Sequence, residues 1–76
     1  MKEFSFEIHE AIATLSDSGK GYTKELNLIS YNGGKPVYDI RQWYTDESED
    51  KKMLKGCTLT KEEIIKLRDE LNELDL

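Results

Sequence analysis

A chain of 76 residues, 37% of them hydrophobic and with a formal net charge of −5, is at the small end of what buries a core alone. Its single cysteine excludes an internal disulfide framework, no apolar run reaches the length of a membrane span, and the acidic balance argues against a generic polyanion binder. The expectation is one domain over residues 1–76 in a reducing, cytoplasmic setting, since Met1-Lys2-Glu3 leads straight into an alternating pattern rather than a signal sequence.

The charge is uneven. Residues 1–45 carry five basic and six acidic side chains, net −1; residues 46–76 carry six and ten, net −4. The last loop and last helix therefore set the sign, and a locally basic face on the remainder is compatible with it.

Phe4, Phe6 and Ile8 alternate with Ser5, Glu7 and His9, the pattern of a half-buried strand. The phase then slips to Ala11, Ala13 and Leu15, which predicts a β-bulge near His9–Glu10 and a bent strand. Ser16-Asp17-Ser18-Gly19-Lys20-Gly21 is turn chemistry. Tyr22 to Tyr31 reads as a second strand, with another slip of phase around Leu28–Ile29. Asn32-Gly33-Gly34 tolerates positive φ and signals a hairpin, and Pro36 stands at the entry of the third strand.

The third strand, Tyr38 to Thr45, reads as the centre of the sheet. Alternation places Tyr38, Ile40, Gln42 and Tyr44 on one face and Asp39, Arg41 and Trp43 on the other. A guanidinium beside a large ring is what holds a phosphate and stacks a base. The commoner arrangement is a core tryptophan next to a solvated arginine, and the stretch taken alone favours it.

Asp46-Glu47-Ser48-Glu49-Asp50 lacks the glycine and spacing of a calcium loop and reads as a solvated connection. A basic run, Lys51, Lys52 and Lys55, precedes a short fourth strand, Gly56 to Leu59. Thr60 with Glu63 three residues on forms a capping box. Ile64, Leu67, Leu71 and Leu74 then make a helical seam, widened by Ile65, which must rest on the sheet, on another helix, or on both. His9 is alone on a strand and Cys57 has no histidine near it in sequence. No metal-ligand spacing or phosphate loop occurs, so neither an enzyme nor a metal or cofactor site is expected.

The run from Tyr38 to Asp46, followed by Lys55-Gly56-Cys57-Thr58-Leu59-Thr60 and a helix, resembles the C-terminal domain of the transcriptional coactivator positive cofactor four. Its small bacterial YdbC-like relatives are the closer likeness, through Gly21 to Asn27 and Tyr31-Asn32 as well. The resemblance covers residues 4–74. It implies an α+β fold: a curved four-stranded antiparallel sheet followed by a C-terminal α-helix. It also implies a homodimer joined through its helices, at Ile64, Leu67, Leu71 and Leu74, whose concave sheets bind single-stranded DNA with little sequence preference and some affinity for RNA or unwound duplex. By position, Lys24, Arg41 and Lys55 match basic contacts, Lys35 falls beside another, Tyr31 matches a hairpin aromatic, and Trp43 with Tyr44 matches an aromatic pair. Lys24, Tyr31, Lys35, Arg41, Trp43 and Lys55 are thus the expected binding residues, with the acidic helix facing away from the nucleic acid. Ile29, Gly33 and Tyr22 stand where the coactivator has basic or other large residues, which implies weaker binding and a shallower salt dependence. The rival expectation is a protein-interaction module that uses the acidic helix and binds no nucleic acid.

Overall fold

The computed structural model describes residues 5–76, so Phe4 lies outside the described residues. The elements are β1 (Phe6–Asp17), β2 (Tyr22–Tyr31), β3 (Val37–Thr45), β4 (Lys51–Leu59) and α1 (Lys61–Asn72). The strands form one antiparallel meander in the order β1-β2-β3-β4, so the α+β architecture follows the expectation.

Local chemistry explains the turns. Asn32 and Gly33 both take positive φ, 51° and 75°, and the Gly34 amide closes the turn on the Tyr31 carbonyl at 2.9 Å. The Asp46 carboxylate accepts from the amides of Ser48 and Asp50, both at 2.9 Å. That tight loop lets pairing resume at Lys51, so β4 spans nine residues and includes the basic run expected to precede it.

Irregularity concentrates at the borders of the sheet. β1 shifts register three times, after Ile8, Ala11 and Thr14; alternation revealed the first alone. β4 carries a bulge that sets Leu54 and Lys55 opposite Gln42. The slip expected at Leu28–Ile29 is absent: β2 and β3 pair without a break from Tyr22–Tyr44 to Ile29–Val37. Leu28 and Ile29 point to opposite faces, and both are apolar because β2 is covered on both sides.

The bulges let the sheet curl. Phe6 and Trp43 pair with Tyr31 and Thr23, eight residues apart on β2, which is about 26 Å along a flat strand. Their ring centroids nevertheless lie 5.4 Å apart. The sheet therefore wraps around the face that carries Asp39, Arg41 and Trp43. Trp43 and Ile29 are fully buried there, beside Asn27, Asp39 and Glu25. The Trp43 indole N–H finds no partner among the described residues.

The helix lies on the opposite face. Its capping box is present, with the Glu63 amide donating to the Thr60 hydroxyl and the Thr60 amide to the Glu63 carboxylate. Ile64, Leu67 and Leu71 stand over Leu15, Leu26 and Ile40 around an apolar groove of about 370 Å³. No helix residue is fully buried. Leu71 is 45% exposed, and Leu74, 57% exposed, falls beyond the last helical residue.

Two variants test this frame. Gly56 pairs with Arg41, and a Cβ there would overlap the Arg41 Cβ and lie 2.5 Å from the Ile40 carbonyl oxygen. Gly56→Ala should therefore lower the urea midpoint clearly. Trp43→Ala should cost about 3–5 kcal/mol, comparable with the whole stability of a small domain, and unfold the chain by circular dichroism.

Candidate nucleic-acid interface

The two faces of the sheet divide the expected binding residues between them. On the inner face, Arg41 donates Nε and Nη2 to the Asp39 carboxylate at 2.9–3.0 Å and Nη1 to the Leu54 carbonyl at 2.8 Å. The Tyr31 hydroxyl donates to the same carboxylate at 2.7 Å. This cluster fastens β2, β3 and β4 together. Asp39 is fully buried, and a buried carboxylate stays charged only when it is paired. The bond to Asp39 holds the Arg41 guanidinium above its ordinary value despite its partial burial. Burial, and then the Asp39 carboxylate, push the Tyr31 hydroxyl up to about 12.

Glu25 forms a second inner cluster. It accepts from Lys51 at 2.7 Å, from Thr23 at 2.7 Å and from the Asn27 amide at 3.3 Å. The Lys51 ammonium lies 5.1 Å from the centre of the Trp43 ring, in cation–π reach. The inside of the curl is thus filled with bonded side chains and is not an open hollow.

Three expected binding residues therefore face inward. Trp43 is fully enclosed and offers no ring surface to a base, which corrects its reading as a stacking plate. Most N–H groups of Arg41 are spent on Asp39 and Leu54, and the half-buried Tyr31 is committed to Asp39. Ring size singles out tryptophan, but its smaller neighbour Tyr44 is the less buried of the two.

On the outer face, Tyr22 pairs with Tyr44, and their rings tilt against each other at a centroid separation of 4.7 Å. Gly21 makes room for this contact: its φ is 96°, and a Cβ there would meet the Thr45 carbonyl at 2.6 Å and the Tyr44 ring at 3.0 Å. Lys24 pairs with Gln42, and the bulge places Lys55 opposite the same glutamine. Lys52 stands beside Tyr44, loosely drawn to Asp46 at 3.8 Å. Among the described residues, no ion pair engages Lys24, Lys35 or Lys55. Lys35 is exposed at the far end of the β2–β3 hairpin, away from this group.

Tyr22, Gln42 and Lys52 are outer-face residues outside the expected binding set, and Tyr44 entered the reading only as the neighbour matched together with Trp43. Parity along the third strand was the signal that could find Gln42 and Tyr44. The helix rests on this same outer face, over Leu15, Leu26 and Ile40.

A curled antiparallel meander with one trailing helix, and with rings and free cations gathered on the outer end of the sheet, defines a class of small sheet-and-helix domain. Residues 18–70 match the family model described as Transcriptional Coactivator p15 (PC4), and the chain belongs to that family. It is also 49% identical over 74 residues to an uncharacterized protein of Treponema pallidum (strain Nichols), covering 97% of this chain and 84% of that protein. Among the described residues, no helix is long and apolar enough to cross a membrane, and no group of side chains is arranged to hold a metal ion.

The inner clusters predict an acid limb. Burial raises the Glu25 carboxyl, but its bonds to Lys51, Thr23 and Asn27 outweigh this and hold it below its ordinary value of 4.5. The unfolded chain then takes up the proton more readily. The contribution is complete above pH 4.5 and is lost as pH falls from there through the folded value. Urea unfolding measured from about pH 6 down to about pH 3 should show this loss, and Glu25→Gln should flatten it.

Proposed function

We propose that residues 1–76 act as one cytoplasmic domain that binds single-stranded DNA as a homodimer. Binding is sequence-tolerant and serves transcription, or replication, recombination and repair where single strands occur. The observation that carries this reading is the meeting of the exposed Tyr22 and the half-buried Tyr44 with the unpaired cations Lys24 and Lys55 on one surface. An aromatic face stacks any base for about 1–3 kcal/mol, and each lysine that neutralises a phosphate adds about 0.7 to the salt slope. Lys52 extends the cationic surface, and Lys35 is an outlying contact. Arg41, Tyr31 and Trp43 hold the sheet in shape beneath it. RNA and unwound duplex present the same bases and phosphates, and are secondary ligands.

The uncovered seam supports the dimer. Ile64, Leu67 and Leu71 leave an apolar groove open, with Ile65 and Leu74 exposed beside it. A second copy brings an identical seam and buries both. The same groove favours the second reading, in which it seats the helix of a different protein.

Fluorescence anisotropy with labelled oligothymidine tests the first reading. Lys24→Ala and Lys55→Ala should each weaken binding and lower the salt slope by about 0.7 for each phosphate that is no longer neutralised. Tyr44→Ala should weaken binding while leaving the slope nearly unchanged. Equal binding by all three variants and the parent would remove the outer face from consideration. The mass in solution tests the second: the parent should run at twice the chain mass and Leu71→Asp at the mass of one chain. A parent that runs as a single chain favours the interaction module.

A further inference from the structure

The strand-binding reading names rings and cations but not the path between them. Strand register supplies one. Ser16 pairs with Lys24, Lys24 with Gln42, and the β4 bulge sets Lys55 opposite Gln42, so these four residues form one row across β1, β2, β3 and β4. The row lies on the outer face, next to the Tyr22–Tyr44 pair. All four residues are exposed, and among the described residues no hydrogen bond or ion pair engages their side chains.

Ser16, Tyr22, Lys24 and Gln42 line a cleft of about 240 Å³ beside the β1–β2 turn. Asp17 borders the same cleft, but its register turns it to the inner side with Thr23 and Trp43, and its carboxylate accepts from the Gly19 amide at 2.8 Å. Among the described lining residues, Lys24 is therefore the one charged side chain that the register turns toward the cleft. The Ser16 hydroxyl and the Gln42 amide are neutral donors on either side of it, and Lys55 follows beyond Gln42.

This alternation of donor and cation suits the oxygens of phosphates, each of which takes a charge with a hydrogen bond beside it. The other direction offers nothing comparable. Along β2 the outer-face residues run Tyr22, Lys24, Leu26 and Leu28. A backbone that followed the strand would leave Lys24 for the apolar floor that Leu26 and Ile40 share with the helix seam, where a phosphate loses its water and gains no partner.

We propose that the bound strand crosses the β-strands instead of following them, with its phosphates on this row and its bases on the neighbouring tyrosines. Ser16, Lys24 and Gln42 hold one phosphate in the cleft. Lys55, two strand spacings or about 10 Å from Lys24, holds another. The inference rests on the strand-binding reading and adds Ser16 and Gln42 to its contacts.

Anisotropy with labelled oligothymidine over a salt series tests the path. Ser16→Ala and Gln42→Ala each remove an exposed neutral donor, so each should weaken binding about two- to tenfold and leave the salt slope unchanged. Ser16 and Lys24 share a phosphate, so the double variant Ser16→Ala/Lys24→Ala should lose less than the product of the two single losses. Ser16→Ala/Lys55→Ala touches two phosphates and should lose the full product. Parent-like binding by either Ser16→Ala or Gln42→Ala, or a full-product loss in the Ser16 and Lys24 pair, would overturn the path and leave strand binding on the outer face standing. A parent chain that binds no oligothymidine at low salt would overturn the strand-binding reading, and this inference with it.

Discussion

One small sheet has to enclose a tryptophan. A flat four-stranded sheet with a single helix on one side leaves its other side open to water, and Trp43 on that side would be half wet. The structure solves this by bending: three shifts of register along β1 and one along β4 wrap the sheet until the ring of Phe6 meets that of Trp43. Everything else follows from that closure. The residues inside the bend become structural, and the residues outside it lie under the helix or toward water.

Closure also takes polar groups out of water. Glu25, Asn27 and Asp39 are buried with the tryptophan, and burying unpaired carboxylates costs far more than a small core returns. Lys51 and Arg41 supply the opposite charges. Lys51 reaches from β4 to Glu25 on β2, and Arg41 on β3 holds Asp39 while reaching the Leu54 carbonyl on β4. Arg41, expected at phosphate, and Lys51 of the basic run are therefore spent on holding the strands together. Lys24 and Lys55 escape this because their parity, and for Lys55 the bulge, turns them to the outer side.

This division explains how far the amino-acid pattern could be read. The four strands, the capped helix and the alternation of the third strand were legible, because propensity, turn chemistry and side-chain period are local. The family was legible from a combination of short motifs. What was not legible is which face of the third strand becomes the inside. Alternation separates Trp43 from Tyr44 correctly, but it carries no sign, and the sign is set by bulges at Ala11 and Thr14 that leave little trace in a weakly apolar strand. The extent of the fourth strand was hidden for a similar reason: Lys51 and Lys52 look like a loop until the Asp46 turn brings them into pairing with Thr45 and Tyr44.

The borders of the sheet carry one more consequence. Among the described residues of a single chain, neither β1 nor β4 has a neighbour on its outer side, so each exposes a row of unused amides and carbonyls. Such rows invite stray strands to add on, and charged side chains and kinks are what discourage them. β1 is kinked three times, and β4 is guarded by Lys51, Lys52 and Lys55. Removing lysines from β4 would strip that guard as well as the cationic surface, and a chain so altered would be prone to self-adhesion.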